Sequence, residues 1–535
     1  MITTGGSPPD PAPRAGVTEL QDAAAAGEVP ASLPPRRADR VPWLIALAVF
    51  AAYTTISLSR YLRLDPGSWD LGIFTEYVRQ LAHLHAPVVN IRGSGFNLLG
   101  DHFQPIVGLI APVFLLFPSA ATLLVVQALL TAVSVVPVSR AAAARLGTGA
   151  GRLIGAAYGL SWGLQQMIDF DFHEIAFAVP LLACSLSALL RGKVRAAALW
   201  ALPLVFVKED QGFTVAALGV LIVVMSLARA RQDARARAAQ DGAAPDRAAP
   251  DRAALRWGAL LIVWGLAWSF LAIAVIIPHF NALHQYPYWS DGGVLSPSGS
   301  HPSAPSVLAQ FGHSYVPKLR TTLLILLPVA FLALGSPLAL VAVPSLALRF
   351  VSTNSAYWGA GYHYNATVMP IVFIAAIDTL GRIRAYRARP EGEAGPRPWF
   401  SSWLNPAATR ALPALMLVIA AVTARPFPLS DLWHAQTYQI SPHVQGEDAA
   451  MARVPGGTTV EATLTMLAPL AARDDTYWIG NAGNPAPQYI VFDELDSGWS
   501  PPPSNPLTFV EQRHPGATYR QVYENNFVYV FRRVG

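Results

Sequence analysis

Ionisable residues are sparse in this sequence, and those lying near its apolar runs fall into short groups. Asp70 opens WDLGIFTEYVRQLAH (69–83), GDHFQP (100–105) carries Asp101 and His102, and DFDFHE (169–174) carries Asp169, Asp171, His173 and Glu174. KEDQG (208–212) sets Lys208, Glu209 and Asp210 side by side between two apolar stretches, and GAGYHYN (359–365) supplies Tyr362, His363 and Tyr364. Carboxylates, histidines and a lysine together suit activation of a hydroxyl and handling of a phosphate. Aspartates two apart, Asp169 and Asp171, can offer oxygen ligands to a hard divalent cation such as Mg²⁺ or Mn²⁺, with His173 as a ligand or a phosphate partner. Aromatic side chains such as those of 359–365, and His279, His284, Tyr286, Tyr288 and Trp289 of the 279–318 loop, suit stacking on a sugar.

Each group also has a plain structural reading. Leu71, Phe74, Val78 and Leu81 recur at helical spacing after Asp70, so the segment reads as an amphipathic interfacial helix that Asp70 caps. Phe170 and Phe172 fit an interfacial turn, and the aromatic loops fit an ordinary membrane-interface belt. Lys208 can pair locally with Glu209 or Asp210, although ionisable residues at such depth usually face a cavity and mark function. Taken singly the groups decide little; their placement relative to a membrane decides more.

The elements that must position them are membrane spans. Of 535 residues, 53% are hydrophobic and 13% charged, and mean hydropathy is +0.36, so lipid is the main solvent and a soluble multidomain protein is excluded. The formal charge of +5 follows from positive-inside bias and does not call for nucleic acid. Cys184, the single cysteine, excludes an intramolecular disulfide and a cysteine metal site.

Residues 1–40 read as a disordered cytoplasmic tail. The first span is 41–59, and ten more follow near 119–140, 149–166, 175–190, 195–207, 211–228, 257–278, 319–335, 337–352, 364–380 and 408–424. The pieces 195–207 and 211–228 also read as one hairpin bent around a polar kink. Segment 104–117, with Pro105 and Pro112, reads as re-entrant or interfacial. The fold class expected is therefore an α-helical polytopic membrane protein of about eleven spans, with a multi-pass domain over 41–424.

Charge parity supports that count. With 104–117 not crossing, Arg140 and Arg145, then Arg191, Lys193 and Arg195, then a disordered loop 229–256 with seven arginines, then 382–397 with five, all fall in the cytoplasm. The same parity puts the large first loop (60–118), the 169–174 turn, the 208–210 triplet and all twelve histidines outside. Past the last span, residues 425–535 shorten to strand-length apolar pieces such as YIVFDEL and NNFVYVFRR between turn-rich stretches. They read as a small external α/β domain that caps the membrane region or serves as a packed appendage.

WDLGIF, GDHFQPI, the DFHE turn, the KED triplet and YHYNATVMPIVFIAAI resemble the bacterial membrane proteins of domain-of-unknown-function family 2079, over roughly 45–535. That layout is similar to the type-C glycosyltransferases, which use polyprenyl-phosphate sugars. The resemblance implies a general base in the first external loop, matched by Asp70, and a later histidine-proline segment, matched by His102 and Pro105 with DHFQP in place of His-Pro-Pro. It also implies a paired acidic motif, matched either by Asp169 and Asp171 or by Glu209 and Asp210.

The leading expectation is a plasma-membrane glycosyltransferase-like enzyme, N-terminus inside and C-terminus outside, moving a sugar from a polyprenyl-phosphate donor to an acceptor on the outer face. Asp70, His102, Glu209 and Asp210 are its catalytic candidates; His173, Glu174, Lys208, Tyr362 and His363 its substrate contacts; Asp169 and Asp171 its divalent-cation ligands. Membrane lipid is a partner and nucleic acid is not. Two other expectations stand beside it: a transporter or flippase of a lipid-linked or small polar substrate, and a non-catalytic lipid-binding scaffold.

Overall fold

A computed structural model describes residues 39–67, 69–241, 249–289, 309, 312–389, 401, 404–496, 498 and 501–535. The tail 1–38 lies outside the described residues. Six helices among those described are long and apolar enough to cross a membrane: Val41–Leu62, Ala120–Leu146, Gln211–Ala238, Arg252–Phe280, His363–Arg387 and Pro406–Thr423. Four shorter apolar helices, Pro105–Leu116, Glu174–Leu190, Val194–Phe206 and Pro337–Val351, accompany them. At a rise of about 1.5 Å per residue, the long helices match a hydrocarbon core about 30 Å thick. Trp43, Leu44, Val263, Phe270, Val418 and Val422 stand exposed on the outer helices, as lipid-facing side chains do. His363–Arg387 is instead almost wholly enclosed by its neighbours, so it forms the centre of the bundle.

Three expected elements differ in the structure. The stretch 149–166 is two helices, Thr148–Gly159 and Trp162–Asp169, broken at Leu160 and Ser161. The stretch 319–335 is interrupted after Pro328, where Ala330 and Phe331 adopt left-handed backbone conformations that a helix cannot carry. The arginine-rich loop 229–256 is helical through Asp241 and again from Arg252; alanine, arginine and glutamine are good helix formers, and loop-like polarity hid this. Residues 242–248 within it are not described. Segment 104–117 is a 3₁₀ turn, Pro105–Ile110, running into the six-residue helix Ala111–Leu116, too short to span alone.

Helices 211–241 and 252–271 cross closely through Gly212 against Gly265 and Gly219 against Gly258, where any Cβ would overlap the facing backbone. Small residues at such a crossing let helix backbones touch in lipid. Ahead of Pro278, the turn Ala272–Ile276 widens to a π-helix.

Residues 459–533 carry a five-stranded sheet in the order β2-β1-β3-β5-β4, formed by β1 (Thr459–Ala462), β2 (Asp475–Trp478), β3 (Tyr489–Asp493), β4 (Tyr519–Asn525) and β5 (Val528–Arg533). β1 pairs in parallel with β2 and β3, and β3, β5 and β4 pair antiparallel. The sheet falls within 425–535, where strand-length apolar pieces predict α/β structure. It sits directly on helix Asp70–Ala82: Gly72 faces Leu467 and Ala468, Trp69 meets Trp478 edge to face at 4.7 Å, and Asn481 donates to the Ile91 carbonyl at 2.8 Å. Within that helix Glu76 is fully buried, accepts from Ile91 N–H at 3.2 Å, and is pushed up to about 8, mainly by its burial.

Candidate active site

Each motif sits where regular structure breaks. Helix Trp162–Asp169 ends at Phe170, and Asp171 takes φ 54°, a left-handed conformation that aspartate tolerates better than most residues. Gln127, buried in helix Ala120–Val133, holds that turn: its amide nitrogen donates to the carbonyls of Met167 and Asp171 at 3.1 and 2.6 Å, and its oxygen accepts from His173 N–H at 2.9 Å. The turn therefore presents His173 and Glu174 in fixed positions.

Lys208, Glu209 and Asp210 fill the gap between the 3₁₀ turn Leu202–Phe206 and the helix starting at Gln211. The polar kink of the sequence is real, and its three charges face different partners. Gly100 packs against the Phe280 carbonyl with no space for a side chain, and Asn281 donates to the Gly100 carbonyl at 2.9 Å, so GDHFQP is held against the end of helix 252–280.

A continuous chain of polar contacts results. Asp70 Oδ2 lies 3.3 Å from His173 Nε2, His173 Nδ1 lies 3.0 Å from Glu174 Oε2, and Glu174 Oε1 lies 3.1 Å from Lys208 Nζ. Asp70 does not cap its helix: the N-cap is Trp69, without a side-chain cap. Burial works against an imidazolium at His173, but the Glu174 and Asp70 carboxylates outweigh it and push His173 up to about 9. Burial likewise opposes the Lys208 ammonium, yet Glu174, Glu209 and Asp210 hold it well above the usual lysine range.

A second set joins this one. His102 Nδ1 lies 2.7 Å from Glu209 Oε1, which also accepts from the Tyr286 hydroxyl at 3.1 Å, while Glu209 Oε2 accepts from Phe103 N–H at 3.1 Å. Burial raises the Glu209 carboxyl, but His102 and Lys208 bring it below the ordinary value. His102 stacks on Tyr288 with ring centroids 4.5 Å apart, and the Tyr288 hydroxyl donates to Asp101 at 3.0 Å.

The groups border two adjoining cavities. The first, about 240 Å³, is of mixed polarity, its polar side formed by Asp70, Arg92, Asp101, His173, Glu174 and Tyr362. The second, about 360 Å³, is mostly apolar, with Ile175, Phe213, Ile273 and Leu348 beside Glu209, Asp210 and Arg349. His102, Lys208, Tyr288, Tyr357, His363 and Tyr364 border both. The structure thus brings together Asp70, His102, His173, Glu174, Lys208, Glu209, Asp210, Tyr362 and His363. Asp169 and Asp171 are the exceptions. They line a separate pocket near Arg60, whose guanidinium pairs with Asp169, while Asp171 Oδ1 accepts from Gly67 N–H at 2.9 Å. With a cation already on Asp169 and a donor on Asp171, this pair alone does not fit a divalent-ion cradle.

Sequence reasoning missed Arg349 and Arg92. Arg349 is buried within the apolar helix Val343–Val351; it donates to the carbonyls of Tyr357 and Tyr364 and to Asn365 Oδ1 at 3.0–3.2 Å, and its Nη2 is buried without a hydrogen bond. A lone arginine in an apolar segment was the signal for it. His363, 2% exposed, stacks on His173 with centroids 3.5 Å apart, and neither of its ring nitrogens has a hydrogen-bond partner among the described residues. Arg92 reaches the site from a 3₁₀ turn, pairing with Asp101 at 3.3 Å.

Comparison with known proteins places this geometry in context. A family model described as Predicted membrane protein (DUF2079) matches residues 60–529. No curated protein matches the chain by sequence. Among solved structures, ArnT from Cupriavidus metallidurans bound to undecaprenyl phosphate superposes with a TM-score of 0.51 at 15% identity, covering 93% of this chain and 99% of that one. The oligosaccharyltransferase AglB from Archaeoglobus fulgidus, in complex with an inhibitory peptide and a dolichol-phosphate, gives 0.39 at 13% identity, covering 84% and 69%. The likeness to ArnT is one of fold.

Proposed function

The chain belongs to the DUF2079 family of predicted membrane proteins, and from that premise we propose that it is a glycosyltransferase taking a sugar from a polyprenyl-phosphate donor. One observation carries the reading: a partly buried carboxylate–histidine–carboxylate–lysine chain ends where a cavity of mixed polarity meets an apolar one. A lipid-linked sugar has that same division, a hydrophilic head beside a long apolar tail. The undecaprenyl phosphate in the ArnT structure supports a donor of this kind.

In this reading Asp70 takes the proton from an acceptor hydroxyl as its oxygen bonds to the sugar C1, and the bond from C1 to the phosphate oxygen breaks. His173, held by Glu174, fixes the Asp70 carboxylate. Lys208, Arg349 and His363 border the cavities with donors suited to the negative charge that grows on the departing phosphate, a stabilisation worth most where water is excluded. His102, Glu209 and Asp210 fix the tyrosine-lined wall, and Tyr362 offers a ring to the sugar. No step requires a divalent cation at Asp169 and Asp171. Positive-inside bias in the arginine-rich segments supports an N-terminus in the cytoplasm, with the sheet and site on the outer face of the plasma membrane.

The test is transfer of labelled sugar from polyprenyl-phosphate donor in membranes carrying the protein. Covalent product formed by the wild type and lost in the Asp70→Asn variant, at matched protein level, supports the reading. Counterflow of labelled lipid without covalent product marks a transporter instead.

A further inference from the structure

Three metal-ligating side chains meet in the sheet domain, apart from both cavities. His443 and Glu447 stand one turn apart on helix Pro442–Met451, hence on one face, and Asp493 is the last residue of β3. One ligand atom from each lies within 4.8 Å of the other two, and no other such group occurs among the described residues. Glu447 and Asp493 are 1% and 2% exposed, whereas the His443 side chain is 29% exposed and gives a route from solvent.

The surroundings orient each ligand. His443 Nδ1 lies 2.9 Å from the Asn526 carbonyl, in the turn joining β4 to β5, and only an N–H satisfies that oxygen. Nδ1 therefore holds the proton, and in the neutral ring Nε2, 3.2 Å from Asp493 Oδ2, holds the lone pair. Glu447 accepts from the Thr465 hydroxyl, and Asp493 Oδ1 accepts from Leu495 N–H at 2.9 Å. Such outer hydrogen bonds are the usual support of metal ligands. Without a metal ion, burial works against a charged His443 ring, but the Asp493 carboxylate it faces raises it above the ordinary histidine value; burial also raises both carboxyl groups, Glu447 to about 7.

We propose that His443, Glu447 and Asp493 bind one divalent transition-metal ion of the zinc class, clamping helix Pro442–Met451 to the sheet. An imidazole nitrogen with two carboxylate oxygens suits Zn²⁺ better than Ca²⁺ or Mg²⁺, which take oxygen ligands. Ligand atoms around tetrahedral zinc sit about 3.4 Å apart, so closure needs only side-chain adjustment of about an ångström, with a fourth position left to water. The proposal is independent of the sugar-transfer reading.

The test uses the full chain in detergent, stripped by chelator and then titrated with Zn²⁺, with bound metal measured after gel filtration. One equivalent is expected on the wild type and on an Asp169→Asn/Asp171→Asn variant, with loss of that equivalent in His443→Gln/Asp493→Asn. Co²⁺ on the wild type should give the visible absorption of a four-coordinate site, a readout that depends on no variant's folding. Equal zinc on the His443→Gln/Asp493→Asn variant and the wild type, or a wild type that takes up neither metal, overturns the proposal.

Discussion

Lys208 Nζ lies 3.1 Å from one oxygen of Glu174, and the other oxygen of the same carboxylate lies 3.0 Å from His173 Nδ1. One carboxylate, 1% exposed, thus balances two cationic groups from different parts of the chain, and Asp70 is aligned through it.

Removing one partner should therefore cost more than removing both. Lys208→Met leaves the buried Glu174 with His173 as its one remaining ion-pair partner, a loss of up to about 3–5 kcal/mol, and the Lys208→Met/Glu174→Gln variant should recover part of it. Thermal unfolding in detergent reads both. A double variant no more stable than the single one would show that the pair is not coupled as described.

Asp70→Asn should lower sugar transfer by about 10²–10⁴-fold, the range of a lost general base, while leaving the melting temperature near that of the wild type. The neutral amide keeps the shape and loses the proton acceptor. Transfer within a factor of two of wild type would remove Asp70 from the reaction.

The His173 proton predicts a basic limit. The folded state holds it more tightly than the unfolded chain, so its stabilising contribution is complete below the ordinary value of 6.5 and is lost as pH rises through about 9. Transfer and thermal stability should both decline across that window. In His173→Gln the basic limb of the rate profile should flatten, and an unaltered limb would assign it elsewhere.

The close crossing of helices 211–241 and 252–271 gives a purely steric prediction. Gly265→Val would force the helices apart at Gly212, four residues from Lys208, at a cost of about 1–3 kcal/mol. Transfer should fall with the melting temperature. A change of less than 1 °C would mean that the crossing relaxes freely.

Much of the site was legible in the sequence because charge is scarce here, and a charge beside an apolar run seldom lacks a reason. Asp70, His173, Glu174 and Lys208 stood out that way, and all of them meet. Spacing alone grouped Asp169 and Asp171 with His173, but the left-handed backbone at Asp171 and the distant Arg60 hold both aspartates in a separate pocket. Arg349 was hidden by the apolar run around it, since the carbonyls that hold it come from the loop after its helix. The breaks at 160–161 and 330–331 escaped because hydropathy records composition and not backbone conformation.

Helix Asp70–Ala82 has the first cavity on one side and the sheet region on the other, with Gly72 pressed to Leu467 and Trp69 to Trp478. The residue proposed to take the proton is thus made long before the surface that seats its helix. During synthesis the apolar helices enter the bilayer long before residues past 459 exist. Asp70 can be seated by that surface only once residues 467–478 have been made, so until then the growing chain holds a membrane bundle without an assembled reaction centre.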